Sequence, residues 1–295
     1  NNDPNAQLDL AQIYYSGKNV QRDVKKAVHY YILSANQNNP KAQYNLAILH
    51  LNNYFGKQKA SRALKYLILS SNNGNIRSHF ALGYLYHEGK CIERDIEKAI
   101  HFYKLGSSFN DQYAKNNLGI IYKNGFNDEI PKNVAYAIEL FNESIKQKND
   151  LLSKYNLANI YFFDQTVKKN DDKLMDLLID SSKQDFIHSQ ELLCLVLISK
   201  YGSNINVISE ILSKRSDINK RLITKICNMI LREQLINKYF FSIKYRYLEK
   251  TDYLYDFKFN MHPTKSIMNV KRQNIVDINS HFYEGFGNGL ISDGK

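Results

Sequence analysis

The run Asn5-Ala6-Gln7-Leu8-Asp9-Leu10-Ala11-Gln12-Ile13-Tyr14-Tyr15-Ser16-Gly17 decides the fold, because its skeleton returns along the chain. That skeleton is a small residue, a Leu four positions on, and Ala or Gly beside the Leu. It occurs as Ala6/Leu10/Ala11, Ala42/Leu46/Ala47, Ser78/Leu82/Gly83, Ala114/Leu118/Gly119 and Ser153/Leu157/Ala158. The first residues stand 36, 36, 36 and 39 positions apart. A fixed period of a few tens of residues marks a stacked repeat. A faded sixth copy runs through Ser189/Leu193/Cys194.

Four positions after each Leu come Tyr14, His50, Tyr86, Tyr122 and Tyr161, and three further on Gly17, Asn53, Gly89, Gly125 and Asp164. Gly, Asn and Asp tolerate the left-handed conformation that ends helices. Each unit also has a second half, seen in Asp23-Val24-Lys25-Lys26-Ala27 and Asp95-Ile96-Glu97-Lys98-Ala99, followed by Tyr30-Tyr31 and Phe102-Tyr103. Asp23 and Asp95 sit where a side-chain oxygen satisfies the free amides of a first helical turn. Asn133 takes that place in the fourth unit and Asp171 or Asp172 in the fifth, while the second offers only Lys59. Ala6, Leu10, Ile13 and Tyr14 share one helical face, and Ala11 opens a second side for close approach. Two helices of about 20 Å cannot bury such surfaces alone, so the units must stack.

These residues resemble a Sel1-like repeat. The matching runs are Asn5 to Gly17 with Val20-Gln21-Arg22-Asp23 and Lys26 to Tyr31, and Leu82-Gly83-Tyr84-Leu85-Tyr86-His87-Glu88-Gly89-Lys90 with Arg94-Asp95. The resemblance implies an all-α fold: a right-handed α/α superhelical solenoid of about six Sel1/TPR-like helix pairs. It also implies a non-catalytic scaffold or adaptor role. The Asn, Lys, Ile and Tyr bias is similar to the expanded Sel1 sets of protists with AT-rich genomes. The expected domains are a repeat solenoid over 1–215, a helical cap over 216–236 and an aromatic, basic extension over 237–295, partly helical with a flexible end. Leu222, Ile223, Ile226, Ile230 and Leu231 give the cap its helical spacing.

Composition excludes several function classes. The longest apolar run, Leu192 to Ile198, falls far short of the roughly 20 residues that cross a bilayer as a helix. The chain opens Asn1-Asn2-Asp3-Pro4 without an initiator Met or a basic-then-apolar leader, so it reads as processed or as an excerpt. Cys91, Cys194 and Cys227 form no CxxC pair, which argues against a zinc site or a disulfide framework. The net charge of +11 divides as 19 Lys+Arg against 13 Asp+Glu in residues 1–150, and 21 against 16 in 151–295. So diffuse an excess favours solubility over a binding stripe.

No chemistry-bearing motif competes with the repeat. Gly285-Phe286-Gly287-Asn288-Gly289 lacks the strand before it and the helix after it that a phosphate loop needs. His29 and His101 recur two periods apart, which favours a structural position. Neither a metal nor another cofactor is expected, and no catalytic residue stands out. The Asn142-Glu143-Ser144 sequon falls inside an expected helix.

The partner is expected to be a protein or peptide. In tetratricopeptide-like geometry the first helices line the inner surface, so equivalent positions form rows. One row is Leu8, Tyr44, Phe80, Asn116 and Tyr155, and the next Gln12, Ile48, Tyr84, Ile120 and Asn159. A third, Tyr15, Leu51, His87, Lys123 and Phe162, is expected to be the most exposed. From these the candidate binding residues are Tyr44, Phe80, Tyr84, His87, Ile120, Lys123, Tyr155 and Asn159, with Tyr84 as a projecting anchor. The competing reading packs the first row between helices. A nucleic-acid-binding module is the alternative function, drawn from the charge and from Tyr239-Phe240-Phe241, Tyr245-Arg246-Tyr247 and Tyr253-Leu254-Tyr255, although Glu249, Asp252 and Asp256 interrupt that stretch.

Overall fold

A computed structural model describes residues 2–52, 60–89, 92–126 and 130–236. Among these residues there are thirteen helices and no strand, only an isolated bridge between Phe126 and Ile130. The chain forms two compact units divided at Leu118/Gly119, within one helix. The first unit holds α1 (Pro4–Ser16), α2 (Val24–Asn36), α3 (Pro40–Leu51), α4 (Ala60–Asn72), α5 (Ile76–Glu88), α6 (Ile96–Ser108) and the start of α7 (Gln112–Asn124). The second holds the rest of α7, then α8 (Val134–Lys148), α9 (Leu151–Phe163), α10 (Asp171–Lys183), α11 (Ile187–Tyr201), α12 (Ile205–Ser213) and α13 (Lys220–Ile236).

In the first unit α1 packs on α2, α3 on α4 and α5 on α6, while α2 meets α3 and α4 meets α5. Small residues set the distance within a pair. Ala27, Ala63 and Ala99 are fully buried, as are Ala11, Ala47 and Gly83. A Cβ added to Gly83 would stand 2.6 Å from a ring carbon of Tyr103. In the second unit a Cβ on Gly119 would come within 2.8 Å of Phe141. Both glycines therefore admit a bulky ring that Ala would push away.

The first and third pairs share their closing contacts. Gly17 and Gly89 end α1 and α5 at φ 69° and 66°. The amides of Asp23 and Asp95 then donate to the carbonyls of Tyr14 and Tyr86, both at 3.0 Å, and their carboxylates cap α2 and α6. In the second unit Asn133 does likewise, its amide donating to the Tyr122 carbonyl at 2.7 Å. The repeated aromatic clamps its own pair: Tyr14 stacks on Tyr30, His50 on Tyr66 and Tyr86 on Phe102 at 5.8–5.9 Å.

Two expectations change. The fifth second-helix, α10, is capped by Asn170, which accepts from the Lys173 amide at 3.0 Å; Asp171 and Asp172 lie in the first turn, where they oppose the helix dipole's positive end. Asp164 ends α9 in extended backbone (φ −80°, ψ 116°) rather than left-handed, and its carboxylate binds Lys132 at 2.8 Å and the Thr166 amide at 2.9 Å. Lys59 and Asn53 lie outside the described residues, as does the extension from 237. The sixth copy is helical as α11, and the 217–236 stretch is helical from Lys220 on, as α13.

Candidate partner-binding surface

In the first unit the candidate rows are more buried than expected. Leu8, Tyr44 and Phe80 are buried, and Phe80 is ringed by Tyr84, Tyr103 and Tyr113 at 6.4, 6.0 and 5.8 Å. Tyr84, expected to project, is only 1% exposed. Asn116 is buried, and Asn117 beside it donates to the Tyr103 hydroxyl at 3.1 Å. Of the third row, Tyr15 is half-buried, whereas Leu51 and His87 are buried, contrary to their expected exposure. His87 meets Tyr103 edge-on, and burial, aided by Arg94, lowers its pKa to about 3. Its Nδ1 has no hydrogen-bond partner.

The second unit repeats the pattern. Ile120 and Tyr155 are buried, Tyr155 edge-on to Phe186 and His188. Lys123 and Phe162 are half-buried. Asn159 is 2% exposed, and neither its Nδ2 nor its Oδ1 has a partner. Leaving such an amide unsatisfied costs about 1–3 kcal/mol. Ser144 of the sequon is buried, its hydroxyl bonded to Asp150 at 3.2 Å.

The sequence concealed a polar ladder that the structure reveals. In the first unit Ser34 Oγ donates to the Pro4 carbonyl at 2.6 Å and Ser70 Oγ to the Pro40 carbonyl at 2.5 Å. Gln37 Nε2 donates to Gln7 Oε1 at 2.8 Å, and Asn73 Nδ2 to Gln43 Oε1 at 3.0 Å. The recurrence of Ser34 and Ser70 one period apart was the available signal. Among the described residues no cluster of His, Cys, Asp or Glu could hold a metal ion. No single helix there is long and apolar enough to cross a membrane; the α11–α12 pair is apolar enough together but bends by 109°.

Comparison with known proteins agrees with this geometry. The sequence profile described as Sel1 repeat matches residues 4–39, 40–75, 76–108, 112–149 and 152–173. A Sel1 repeat protein from Oxalobacter formigenes is similar in structure at 18% identity, with TM-score 0.62 over 78% of this chain and 88% of that one. A protective antigen of uropathogenic Escherichia coli strains, displaying an SLR fold, is similar at 22% identity and TM-score 0.63, over 84% of this chain and 53% of the antigen. No curated protein matches the chain. Five matched repeats covering more than half of the sequence, with helix pairs at the same period, place this chain in the Sel1 repeat family.

Proposed function

We propose that this chain is a non-catalytic scaffold whose first helices bind a protein or peptide partner. Sel1 repeat proteins are generally protein-interaction scaffolds, and their fold is typically non-catalytic. The observation that carries the reading is that the first-helix rows keep partly accessible side chains at Gln12, Tyr15, Lys123 and Phe162, a polar and aromatic mix that suits a partner peptide. Lys123 and Phe162, half-buried in the second unit, supply a cation and an aromatic edge at equivalent positions of the repeat register. In the first unit Tyr44, Phe80, Tyr84 and His87 stiffen the corresponding surface from beneath, and Ile120 and Tyr155 do so in the second. A rigid surface loses little conformational freedom on docking, unlike a tail.

The test is capture of partners on the full-length chain from cells that express it, followed by quantitative comparison of variants. Phe162→Ala and Lys123→Glu should each lower recovery of a specific partner several-fold while Tm falls by only a few degrees, since both side chains are only half-buried. Deleting residues 285–295 should leave recovery unchanged. Loss on that deletion, with both variants retaining the partner, would move the interaction site to the C-terminal extension.

A further inference from the structure

In the first unit α2 packs on α1 and α3, and α4 on α3 and α5, which leaves one side of each second helix turned outward. The inward positions are buried: Ala27, Tyr31, Ser34 and Ala35 on α2, and Ala63, Leu67, Ser70 and Ser71 on α4. The opposite side is exposed along its length, with Lys26, His29 and Leu33 on α2 and Arg62, Lys65 and Leu69 on α4. α6 continues the series with Lys98, His101 and the half-buried Leu105. Spacings of three and then four residues keep each set on one helical face, and the period of 36 aligns the sets as rows across the helices.

The rows differ in chemistry. Cations stand near the start of each helix, and apolar side chains follow about two turns on. Ile32 and Leu33 on α2, and Ile68 and Leu69 on α4, are all 36–39% exposed. Single apolar residues are ordinary on a surface, but adjacent pairs repeated one period apart beside a basic row form a patch of the kind that meets a partner.

The charge of this face is one-sided. The three helices carry Lys25, Lys26, Arg62, Lys65, Lys98 and Lys104 against the single carboxylate of Glu97. Asp23 and Asp95, which precede α2 and α6, pair with Lys26 at 3.9 Å and Lys98 at 2.7 Å. Lys25, Arg62 and Lys65 have no carboxylate partner among the described residues. In the second unit, by contrast, Lys132, Lys183 and Lys225 each meet an aspartate at 2.8–2.9 Å.

We propose that the outward face of α2, α4 and α6 docks an acidic amphipathic helix of another protein. Its apolar stripe lies on the Ile32/Leu33 and Ile68/Leu69 pairs, and its carboxylates meet the cations. The dimensions suit this occupant. Lys26 and Leu33 are seven residues apart, about 10 Å along the helix, and a helix with its side chains is about 10–12 Å wide, so one lying across the rows touches both. Charge selects it over two others. A second copy would bring the same cations to the interface and be repelled. An anionic bilayer must receive apolar side chains deeper than basic ones, whereas here the Lys26 and Lys98 side chains, 61% and 58% exposed, stand freer than the apolar pairs. The face belongs to the second helices, so it is independent of the first-helix surface, and a chain using both joins two partners.

The full-length chain is titrated, by fluorescence anisotropy, with a helical peptide of about 18 residues, or five turns, carrying Leu along one stripe and Glu beside it. A control peptide carries Lys in place of Glu. The acidic peptide should bind, more weakly as salt rises, and the control should not. Leu33→Ser with Leu69→Ser, and separately Arg62→Glu with Lys65→Glu, should each lower affinity roughly tenfold. Tm should stay within about 2 °C, because these side chains are exposed. Phe162→Ala, on the first-helix surface, should leave the affinity unchanged. Failure of the acidic peptide to bind, equal binding of the control, or affinity that survives both pairs of substitutions overturns the proposal. So does binding to phosphatidylserine vesicles or single-stranded RNA that is tighter than peptide binding and is abolished by the same substitutions.

Discussion

His87 shows how far one side chain's role depends on its surroundings. An exposed histidine titrates near 6.5, but burial, with Arg94 adding its charge, holds this one neutral in the folded chain to about pH 3. As pH falls below about 6.5, the unfolded chain takes up a proton that the folded chain refuses. The folded state therefore loses stability by about 1.4 kcal/mol for each further pH unit. Urea unfolding at pH 7 and pH 5 should show His87→Gln losing about 2 kcal/mol less than the natural chain over that interval. Equal losses would mean that His87 is accessible to protons when folded. Tyr84 carries a similar lesson. With 1% exposure its ring is part of the packing beside Phe80, so truncation to Ala would open a cavity and cost about 3–5 kcal/mol of stability. It is unsuitable as a probe of binding alone.

At the level of the element, each helix pair is held by apolar packing at its centre and by hydrogen bonds at its ends. Ser70 illustrates the second: its hydroxyl donates to the Pro40 carbonyl and is bonded to the Ser78 hydroxyl at 2.7 Å, tying α4 to α3 and to α5. Ser70→Ala should lower stability by about 1–2 kcal/mol, because Asn75 still serves Pro40 but the buried Ser78 hydroxyl loses its partner. The urea midpoint should fall with the m-value unchanged; a change in m would mean that α4 has come loose rather than lost a bond. The helix starts at Asp23, Asp95 and Asn133 were legible because capping is local and needs only an oxygen beside the first turn. The cap at Asn170 was expected one or two residues later, at Asp171 or Asp172, because an Asn-Asp-Asp string offers three such oxygens, and backbone geometry chooses among them.

For the whole molecule, the charge of +11 is the feature most open to another reading. The structure spreads it further, since Lys132, Lys183, Arg215 and Lys225 of the second unit each pair with an aspartate. Titration with single-stranded RNA should therefore give only weak association at low salt that disappears by about 150 mM, with no sequence preference. Affinity that persists at that salt would support a nucleic-acid-binding module in place of a protein scaffold.

The sequence alone determined the helix pairs, their period, most of their caps and the family, because capping, helical spacing and repetition are properties of neighbouring residues or of identical units. It left open which side of each first helix faces solvent. Leu10 and Leu46 are the same residue in the same motif, yet one is exposed and the other buried. Burial depends on what another helix covers, and only the tertiary structure supplies that neighbour. For the same reason the ties from Ser34 to Pro4 and from Gln43 to Ala35 emerged only when separate helices were brought within hydrogen-bonding distance.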